Sequence, residues 1–389
     1  MKICIIAAAL PPQLDGIGDY TANLAAELAR SATVTVLTGA PTPDPIPGVR
    51  VETAFAADDP RSVWNLVGRV AQDKPDWVLL QYNPFSYGRW GKNLHLPRVM
   101  RQIKRRCSGT KFALMVHEPF VPINNWKNAA MTTWQRWQLW SLGRTADVVF
   151  FSIEPWARKF TPWFPARPVL HLPVGSNIPL VPIAWAEARA RLGIPNETVV
   201  FGLFGTAHDS RLLGPVSGAM DLARKAGRDA LVLYIGPHGQ VVRKALGVDM
   251  PFRDDGRLSP DEVSLRFAAL DLYFAAYADG ISTRRTTLMT GLQHGAAIIG
   301  TRGHLTDSML KQEDGRAFLL ADSDAPDESN RHALCLMENV SLREQLGREA
   351  QRLYQAEFAW ERIAARLLDA IKEYSSKLSA NPSNNARND

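Results

Sequence analysis

Runs of β-branched and aromatic residues alternate with amphipathic, helix-like runs along most of the chain. In the first half, segments such as GDYTANLAAELAR and LHLPRVMRQIKRR separate the apolar runs, which predict strands over residues 2–8, 33–38, 76–82, 111–118, 147–153 and 167–173. Strands that are buried on both faces appear as nearly continuous apolar runs, and parallel neighbours need helical crossovers. The pattern therefore predicts a parallel, doubly wound sheet.

The alternation pauses at LPVGSNIPLVPIAW, residues 172–185, where prolines and a glycine predict a linker with a hinge near 173–185. A second alternation follows, with strands predicted near residues 198–206, 231–236, 271–276, 296–300 and 316–320. We therefore expect an α/β protein with one Rossmann-like domain over 1–175 and another over 176–355. We expect the end of the long final helical stretch, residues 356–374, to cross back to the first domain. The Ser- and Asn-rich tail, 375–389, is predicted to be disordered.

Length and cysteine usage fit this picture. A chain of 389 residues is too long for one ordinary core, which also favours two domains. The three cysteines are scattered and match no disulfide framework or metal-ligand spacing, so we expect a reducing cytoplasm. The initial MKICIIAAAL could be a signal-peptide core, but no small-residue cleavage site follows, and we interpret it as a buried strand. No stretch reaches about 18 apolar residues, so no spanning helix is expected.

The positive charge is concentrated in the first half. The net charge is +6, and residues 1–175 alone carry 20 Lys and Arg against 12 Asp and Glu. Such an excess is typical of a surface that faces an anionic membrane or an anionic substrate, or simply of a solvated surface. The same half contains six tryptophans between residues 126 and 163. They could form a membrane-interface or lipid-acceptor surface, or fill the core and line an acceptor pocket.

Ligands of parallel sheets bind beyond the carboxyl ends of the strands, so we expect the chemistry there, facing a cleft between the domains. In the first domain, Gly16 and Gly18 follow the first strand and could bring backbone N–H groups close to an anion, or only form a tight turn. A nicotinamide-cofactor fingerprint needs a third glycine, and Thr21 occupies that position. His117 and Glu118 end an apolar strand, where His117 is a candidate functional residue and Glu118 could orient its imidazole.

In the second domain, Gly205 and Thr206 follow a strand, and Arg211 precedes a helix, an arrangement suited to holding an anion. The segment DGISTRRTTLMTGLQHG begins after another strand. A cation in a first helical turn is unfavourable against the helix dipole, and a bound anion would relieve this. We therefore interpret Arg284 and Arg285 as part of a diphosphate site, the alternative being that they only reach solvent.

Several chemistries are not indicated by the sequence. Asp-x-Asp occurs only at Asp322 and Asp324, in a polar stretch away from the predicted site, so we expect no metal. No Gly-x-Ser-x-Gly elbow and no Walker loop is present. We expect no cofactor.

Together, the GIGDYTANLAAELA helix, the VHE strand end and the run DGRLSPDEVSLRFAALDLYFAAYADGISTRRTTLMTGLQHGAAIIGT resemble the GT-B glycosyltransferases, in particular family 4. The resemblance covers roughly residues 1–374 and is stronger in the second half. It implies two Rossmann-like domains facing a central cleft, with an acceptor in the first domain and a nucleotide diphosphate sugar in the second. It also implies transfer with retention and usually without a metal.

The resemblance implies a role for individual residues. Asp279 stands where the family has an acid that contacts the sugar, usually Glu, and His117 corresponds to its acceptor-side histidine. The family's second acid, which holds the ribose, is replaced by Thr287, or by Thr290 on a count back from Gly295. Thr206 stands near the usual Arg, and the resemblance implies that Arg211 replaces the usual Lys, with Arg284 or Arg285 supplying missing charge. The predicted sets are catalytic His117, Asp279 and Arg211; donor-binding Gly205, Thr206, Arg211, Gly280, Ile281, Ser282, Thr283, Arg284, Arg285 and Thr287; and acceptor or loop residues Gly16, Gly18, Asp19, Tyr82 and Glu118.

The function expected from the sequence is a retaining glycosyltransferase that uses a UDP- or GDP-sugar and a glycan, lipid-linked or small-molecule acceptor. Its expected location is cytoplasmic, with peripheral contact with an anionic membrane as a further expectation, and no nucleic acid is expected as partner. The alternatives are a catalytically degenerate GT-B protein that binds a nucleotide or a partner, and a nucleotide-sugar epimerase.

Overall fold

The structure is a computed structural model that describes residues 1–380, with side chains described to Lys377. It contains two compact units. The first consists of Met1–Pro173 together with residues 360–380, and the second is Val174–Ala359. The sequence placed these boundaries at 175/176 and 355/356.

The first unit is built around a seven-stranded parallel sheet with the order β3-β2-β1-β4-β5-β6-β7. Its strands are β1 (Lys2–Ala7), β2 (Thr33–Thr38), β3 (Val49–Thr53), β4 (Trp77–Tyr82), β5 (Lys111–Val116), β6 (Val148–Phe151) and β7 (Val169–His171). β1 and β4 are neighbours although β2 and β3 lie between them in sequence, so the strand order reverses beside β1, as in dinucleotide-binding folds.

Helices connect most of these strands and contribute buried apolar residues to the core of the unit. They are α1 (Gly16–Leu28), α2 (Asn65–Asp73), α3 (Leu96–Arg106), α4 (Trp126–Thr145), α5 (Glu154–Phe160) and the late helix α14 (Trp360–Ala380), with 3-10 turns at Ser62–Trp64, Pro84–Tyr87, Arg89–Gly91 and Thr161–Trp163. The carboxylate of Asp15 caps α1 by accepting hydrogen bonds from the backbone N–H groups of Ile17 and Gly18, at 3.0 and 2.7 Å.

Helix α14 packs on α1 within this unit. The ring of Tyr20, fully buried, lies edge-on to Trp360 with centroids 5.3 Å apart. Farther along α14, Tyr374 lies against Trp77 and near the carboxylate of Asp147. The helix continues through Ala380, so residues 375–380 are helical where disorder was predicted, and residues 381–389 lie outside the described residues.

The second unit contains a six-stranded parallel sheet with the order β10-β9-β8-β11-β12-β13, the same reversal around its first strand. Its strands are β8 (Val199–Phe204), β9 (Ala230–Ile235), β10 (Phe252–Asp254), β11 (Leu272–Ala275), β12 (Ile298–Arg302) and β13 (Leu319–Asp322). Its helices are α6 (Trp185–Leu192), α7 (Gly214–Lys225), α8 (Gly239–Leu246), α9 (Pro260–Ala268), α10 (Thr286–Gln293), α11 (Ser308–Gln312), α12 (Pro326–Glu338) and α13 (Val340–Leu353), followed by a π-helical turn, Tyr354–Phe358.

The prediction of two doubly wound parallel sheets is confirmed, and each strand predicted from the sequence corresponds to an observed strand. Two observed strands, β3 and β10, were not predicted. Both lie at a sheet edge, where one neighbour is missing, and their residues are intermediate or exposed rather than continuously buried. Within the described residues, no helix is both long and apolar enough to cross a membrane.

Candidate functional site

The two loops that carry most of the predicted donor residues meet in the second unit, because β8 and β11 pair with each other. One loop runs from the end of β8 to Arg211 and the other from the end of β11 to Asp279. Backbone hydrogen bonds join them, from Leu212 N–H to Ala276 O at 3.0 Å and from Ala278 N–H to Ser210 O at 2.7 Å. The side chains that follow these strands are therefore held together at the carboxyl edge of the sheet.

Asp279 lies at the centre of this group and accepts hydrogen bonds from two adjacent arginines. Its Oδ2 lies 2.8 Å from Nη2 of Arg284, and its Oδ1 lies 2.5 Å from Nη2 of Arg285. Burial alone would raise the pKa of Asp279, but Arg285 and Arg284 hold it below its ordinary value, so the carboxylate is ionised. From the sequence, Asp279 was expected to contact a sugar and the arginines a diphosphate, whereas in the structure they pair with each other.

The ring of Tyr277 lies against the guanidinium groups of two arginines. The guanidinium carbon of Arg285 lies 3.6 Å from the centroid of the Tyr277 ring, and that of Arg211 lies 5.3 Å from it, so both cations face its π-system. Although burial would raise the pKa of Tyr277, the same two arginines lower it. The Tyr277 hydroxyl lies 2.9 Å from Oγ1 of Thr287. Tyr277 was missed by the sequence analysis because an aromatic residue at the end of a buried strand is typical of a core position.

Hydrogen-bond donors of two arginines in this group have no acceptor among the described residues. Nη2 of Arg211 donates to the Phe204 carbonyl at 2.5 Å, but its Nε and Nη1 are buried and unpartnered, as is Nε of Arg285. Buried N–H groups without an acceptor are rare and costly in proteins, and an anion satisfies charged donors best. Three arginines and one aspartate, with a net charge of +2, therefore form a cationic site, which we call the arginine cluster: Arg211, Asp279, Arg284 and Arg285.

Gly205 allows the β8 loop to approach helix α10. Its φ of +101° lies in the region that favours glycine, and a Cβ there would be 2.7 Å from Cγ2 of Thr287. Thr287 is therefore packed against Gly205 and bonded to Tyr277. Thr206, the next residue, is exposed. Gly205 lies beside Arg211, and Thr287 is bonded to the hydroxyl of Tyr277, on whose ring Arg211 and Arg285 lie.

The other predicted donor residues, Gly280 to Thr283, lie in the interior. Ile281, Ser282 and Thr283 are completely buried, and the N–H of Thr283 donates to Asp307 at 2.8 Å. Helix α10 begins only at Thr286, with Arg285 as its N-cap residue, because residues 282–285 form a turn in which Arg285 N–H donates to Ser282 O. Ser282 and Thr283 are thus buried in the structure, and their assignment to the donor site remains a prediction.

In the first unit, His117 lies just beyond the end of β5 and is buried. Its Nε2 lies 2.7 Å from Oε1 of Gln81, and its ring meets the edge of Tyr20 with centroids 4.8 Å apart. Burial lowers the pKa of His117 to about 3, so the imidazole is neutral at physiological pH. Gln81 was missed by the sequence analysis, which considered Glu118 as the residue that orients His117. Oε2 of Glu118 accepts a hydrogen bond from Asn83 at 3.2 Å.

The predicted loop residues of this unit have different surroundings. Gly18 packs close to β1, since a Cβ there would be 3.1 Å from the backbone of Ala9, whereas a Cβ on Gly16 would meet no atom within 4 Å. Burial and the neighbouring Asp15 raise the pKa of Asp19 to about 6. Tyr82 is 1% exposed and belongs to the hydrophobic core of the first unit.

Among the described residues, no group of three or more His, Cys, Asp or Glu side chains is placed to hold a metal ion. Asp322, one of the two acids of the Asp-x-Asp sequence, accepts a hydrogen bond from Arg302 at 2.7 Å.

No family model matches the sequence, and no curated protein matches it either. The structure, in contrast, is similar to several solved structures. It matches sucrose-phosphate synthase from Thermosynechococcus elongatus with a TM-score of 0.74 and 15% identity, covering 97% of this chain and 99% of that one. It matches HepE of Anabaena, solved with UDP-glucose, with a TM-score of 0.68 and 14% identity, over 96% and 100% of the two chains.

A third similar structure is WaaG, a glycosyltransferase involved in lipopolysaccharide biosynthesis, with a TM-score of 0.66 and 12% identity over 95% and 99% of the two chains. The chain has the GT-B fold. The predicted fold class and the resemblance to GT-B glycosyltransferases are therefore confirmed at the level of structure, across nearly the whole chain. At this level of identity the similarity concerns the fold, and the reaction has to be argued from the site.

Proposed function

We propose that this protein is a metal-independent, retaining glycosyltransferase of the family 4 type that transfers a sugar from a UDP- or GDP-sugar to a glycan, lipid-linked or small-molecule acceptor. The observation that carries the proposal is the arginine cluster on a GT-B fold. Its three guanidinium groups lie at the carboxyl edge of the second sheet, where ligands of such sheets bind, and buried donors of Arg211 and Arg285 still lack acceptors.

The charge of the cluster suits the leaving group of this reaction. When the bond between the anomeric carbon and the diphosphate breaks, negative charge grows on the diphosphate oxygens, and cations fixed in advance stabilise it most effectively. Arg285 is held in place by Tyr277 and Asp279, so its orientation need not change during the reaction. Since the leaving group carries the developing charge, this mechanism requires no protein nucleophile.

Asp279 and His117 would act on the sugar and the acceptor rather than on the nucleotide. Asp279 is ionised and partly exposed, so it can accept a hydrogen bond from a sugar hydroxyl once Arg284 turns toward the diphosphate. His117 is neutral and therefore suited to hydrogen bonding with a hydroxyl rather than to pairing with phosphate charge. We assign Asp279 to the donor sugar and His117 to the acceptor side.

The proposed compartment is the cytoplasm. All three cysteines are free thiols, with Cys4 and Cys107 buried and Cys335 exposed, a state that a reducing compartment maintains.

A thermal-shift and calorimetric screen of the purified chain would test the proposal. UDP, GDP and ADP, each alone and as its glucose and mannose derivative, are compared with the corresponding monophosphates in the presence of EDTA. We expect one diphosphate to bind clearly better than its monophosphate, because the second phosphate meets the arginine cluster, and we expect EDTA to have no effect. Equal binding of mono- and diphosphates, or binding that EDTA abolishes, would refute the proposal.

A second candidate function is nucleotide binding without transfer. It is favoured by the replacement of a second acid by Thr287, whose hydroxyl is bonded to Tyr277, and by the pairing of Asp279 with both arginines. A nucleotide-sugar epimerase is the remaining alternative, although Thr21 occupies the third glycine position of the cofactor fingerprint. Slow hydrolysis of the bound donor sugar by the purified protein would favour transfer, and stable binding of an intact donor would favour the binding protein.

A further inference from the structure

Helix α4, Trp126–Thr145, has the reverse of the usual polarity of a surface helix. Its buried side includes the polar residues Thr132, Gln135, Gln138 and Ser141 beside Leu139 and Leu142. Its exposed side carries tryptophans, of which Trp126 is 76%, Trp137 38% and Trp140 43% exposed. A surface helix normally buries its apolar stripe and exposes polar side chains. Both the buried polar residues and the exposed tryptophans of α4 therefore need an explanation.

The exposed tryptophans lie along a single stripe. The exposed or partly exposed positions Trp126, Ala130, Thr133, Trp137, Trp140 and Arg144 follow each other at intervals of four and three residues, which places them on one helix face. At a rise of about 1.5 Å per residue, Trp126 and Trp140 lie about 21 Å apart along the axis. The helix therefore presents its indoles along one line rather than as a single point.

The buried polar side chains of α4 hold a further exposed tryptophan in place. Nε2 of Gln138 donates to the carbonyl of Gly91 at 2.8 Å, and Nε1 of Trp134 donates to the carbonyl of Trp90 at 3.1 Å. Trp90 itself has φ +59° and ψ +21°, a left-handed conformation that is uncommon for a bulky residue, and it is 63% exposed. Strained backbone persists only where the surroundings enforce it, and often has a functional reason. At Trp90, the strained backbone conformation places an indole ring in contact with solvent.

Basic side chains accompany these indoles. Nζ of Lys127 lies 5.8 Å from the ring centroid of Trp126, the guanidinium of Arg144 lies 5.1 Å from that of Trp140, and the guanidinium of Arg89 lies 5.8 Å from that of Trp90. Arg136 and Arg144 also flank Trp137 and Trp140 in a shallow depression. Over residues 83–146 the sequence has 11 Lys and Arg against a single acid, Glu118. The positive charge of the first half is thus concentrated in the part of the sequence that contains these tryptophans.

We propose that Trp90, Trp126, Trp137 and Trp140, together with Lys127, Arg136 and Arg144, form a face that docks on an anionic lipid surface. We call it the tryptophan face. Indole rings settle at the level of lipid headgroups, and lysine and arginine are attracted to anionic headgroups around them. Ile123 and Phe85 follow strands at the carboxyl edge of this sheet and are 62% and 48% exposed. Their aliphatic and aromatic surfaces are better suited to insertion into the boundary of a bilayer than to binding a sugar. The inference does not depend on the proposed transfer reaction.

Vesicle binding of the full chain tests the proposal. Co-sedimentation with vesicles of phosphatidylcholine alone is compared with vesicles of phosphatidylcholine and phosphatidylglycerol in equal parts. We expect binding only to the anionic vesicles, and quenching of tryptophan fluorescence when the lipids carry bromine in their chains. The triple variant Trp126→Ala, Trp137→Ala, Trp140→Ala is expected to bind at least about tenfold more weakly, because three side chains no longer enter the interface. In the triple variant Lys127→Gln, Arg136→Gln, Arg144→Gln, about fivefold should be lost per cation removed.

The matched control is Trp64→Ala, since Trp64 lies in the same unit, is 41% exposed and is outside the tryptophan face. It should bind vesicles as the unaltered protein does, and circular dichroism and the melting temperature should verify that all variants are folded. The proposal is overturned if the tryptophan variant binds anionic vesicles normally or if the unaltered protein does not bind them. It is equally overturned if the face instead mediates self-association in gel filtration, or binds a polyanionic polysaccharide but no vesicle.

Discussion

The guanidinium of Arg285 is held between an aromatic ring and a carboxylate, with its central carbon 3.6 Å from the Tyr277 ring centroid and its Nη2 2.5 Å from Oδ1 of Asp279. Stacking and the ion pair fix the plane of the guanidinium, and burial lowers the pKa of Arg285 from its ordinary value. An arginine fixed in this way loses less conformational entropy when an anion binds than a flexible surface arginine does.

Replacement of an arginine in the cluster should therefore weaken binding of the nucleotide diphosphate. A charge-assisted hydrogen bond contributes about 1.5–3 kcal/mol, so Arg285→Ala, Arg284→Ala and Arg211→Ala should each reduce affinity by about ten- to a hundredfold in calorimetry. Arg224→Ala is the matched control, because Arg224 is an exposed, ion-paired arginine of the same unit. Normal binding by all three cluster variants would contradict the assignment.

Neutralisation of Asp279 should have the opposite effect on the same measurement. Asp279 competes with a diphosphate for two guanidinium groups, so Asp279→Asn should increase affinity for the nucleotide diphosphate about fivefold, corresponding to an ion pair worth ~1 kcal/mol. Turnover should fall at the same time, since the proposed contact with the sugar changes.

The control for this experiment is Asp255→Asn. Asp255 also bridges two arginines, Arg253 and Arg266, at 2.7 and 2.8 Å, but it follows the edge strand β10, two strands away from β8. This variant should leave diphosphate affinity unchanged. If Asp279→Asn weakens binding instead, Asp279 supports the anion site rather than competing for it.

His117→Ala should separate binding from turnover. We place His117 on the acceptor side, so turnover should fall while affinity for the nucleotide diphosphate stays within about twofold, because no phosphate contact is lost. His95→Ala, a histidine of the same unit bonded to Trp64, serves as control. Since burial holds the His117 pKa at about 3, the pH dependence of turnover between pH 5 and 8 should contain no step from its titration. Loss of nucleotide binding in His117→Ala would reverse the assignment.

Asp19 should make the stability of the protein depend on pH. Burial and Asp15 raise its pKa in the folded chain from the ordinary 3.8 to about 6, so the folded state binds this proton more tightly than the unfolded state. The contribution of Asp19 to stability is therefore present below about pH 4 and is lost as the pH rises to about 6. Asp19→Asn removes this titration. In urea denaturation, the free energy of unfolding of the variant relative to that of the unaltered protein should therefore increase from pH 4 to pH 7. A difference that does not change with pH would contradict this account.

Gly205→Ala should destabilise the second unit. The backbone there has φ +101°, and the new Cβ would lie 2.7 Å from Cγ2 of Thr287, so both strain and overlap oppose the substitution. We expect a loss of about 2–4 kcal/mol in the free energy of unfolding. Gly214→Ala is the control, because its Cβ would meet no atom within 4 Å. Similar unfolding midpoints for the two variants would show that the loop adapts.

The sequence predicted the architecture because central parallel strands, buried on both faces, have a distinctive apolar pattern. The two strands it missed, β3 and β10, are edge strands, and β10 has only the three residues Phe252–Asp254. Neither segment has a continuous run of buried apolar residues, so pairing with the neighbouring strand defines them.

At the candidate site, the sequence predicted that the loops after β8 and β11 lie at the same sheet edge, but not how their charges pair. Arg284 and Arg285 reach Asp279 because the chain turns at residues 282–285, and that turn depends on Asp307, which lies far along the sequence and binds the N–H of Thr283. Ser282 and Thr283, which the sequence placed among the donor-binding residues, are completely buried in the same segment. Local patterns contain no information about such partners.

The first unit is built from two separate segments of the chain, and this affects the order in which the protein folds during synthesis. The 186 residues of Val174–Ala359 are translated before α14 becomes available to pack on α1. Translation proceeds at about 5–20 residues per second, so roughly 10–40 s pass between synthesis of the first segment and synthesis of Trp360. During that time the surface of Tyr20 against which Trp360 packs is not covered by α14. The second unit, which is continuous in sequence, can complete its fold first, so the order in which the two units mature is the reverse of the order in which they begin.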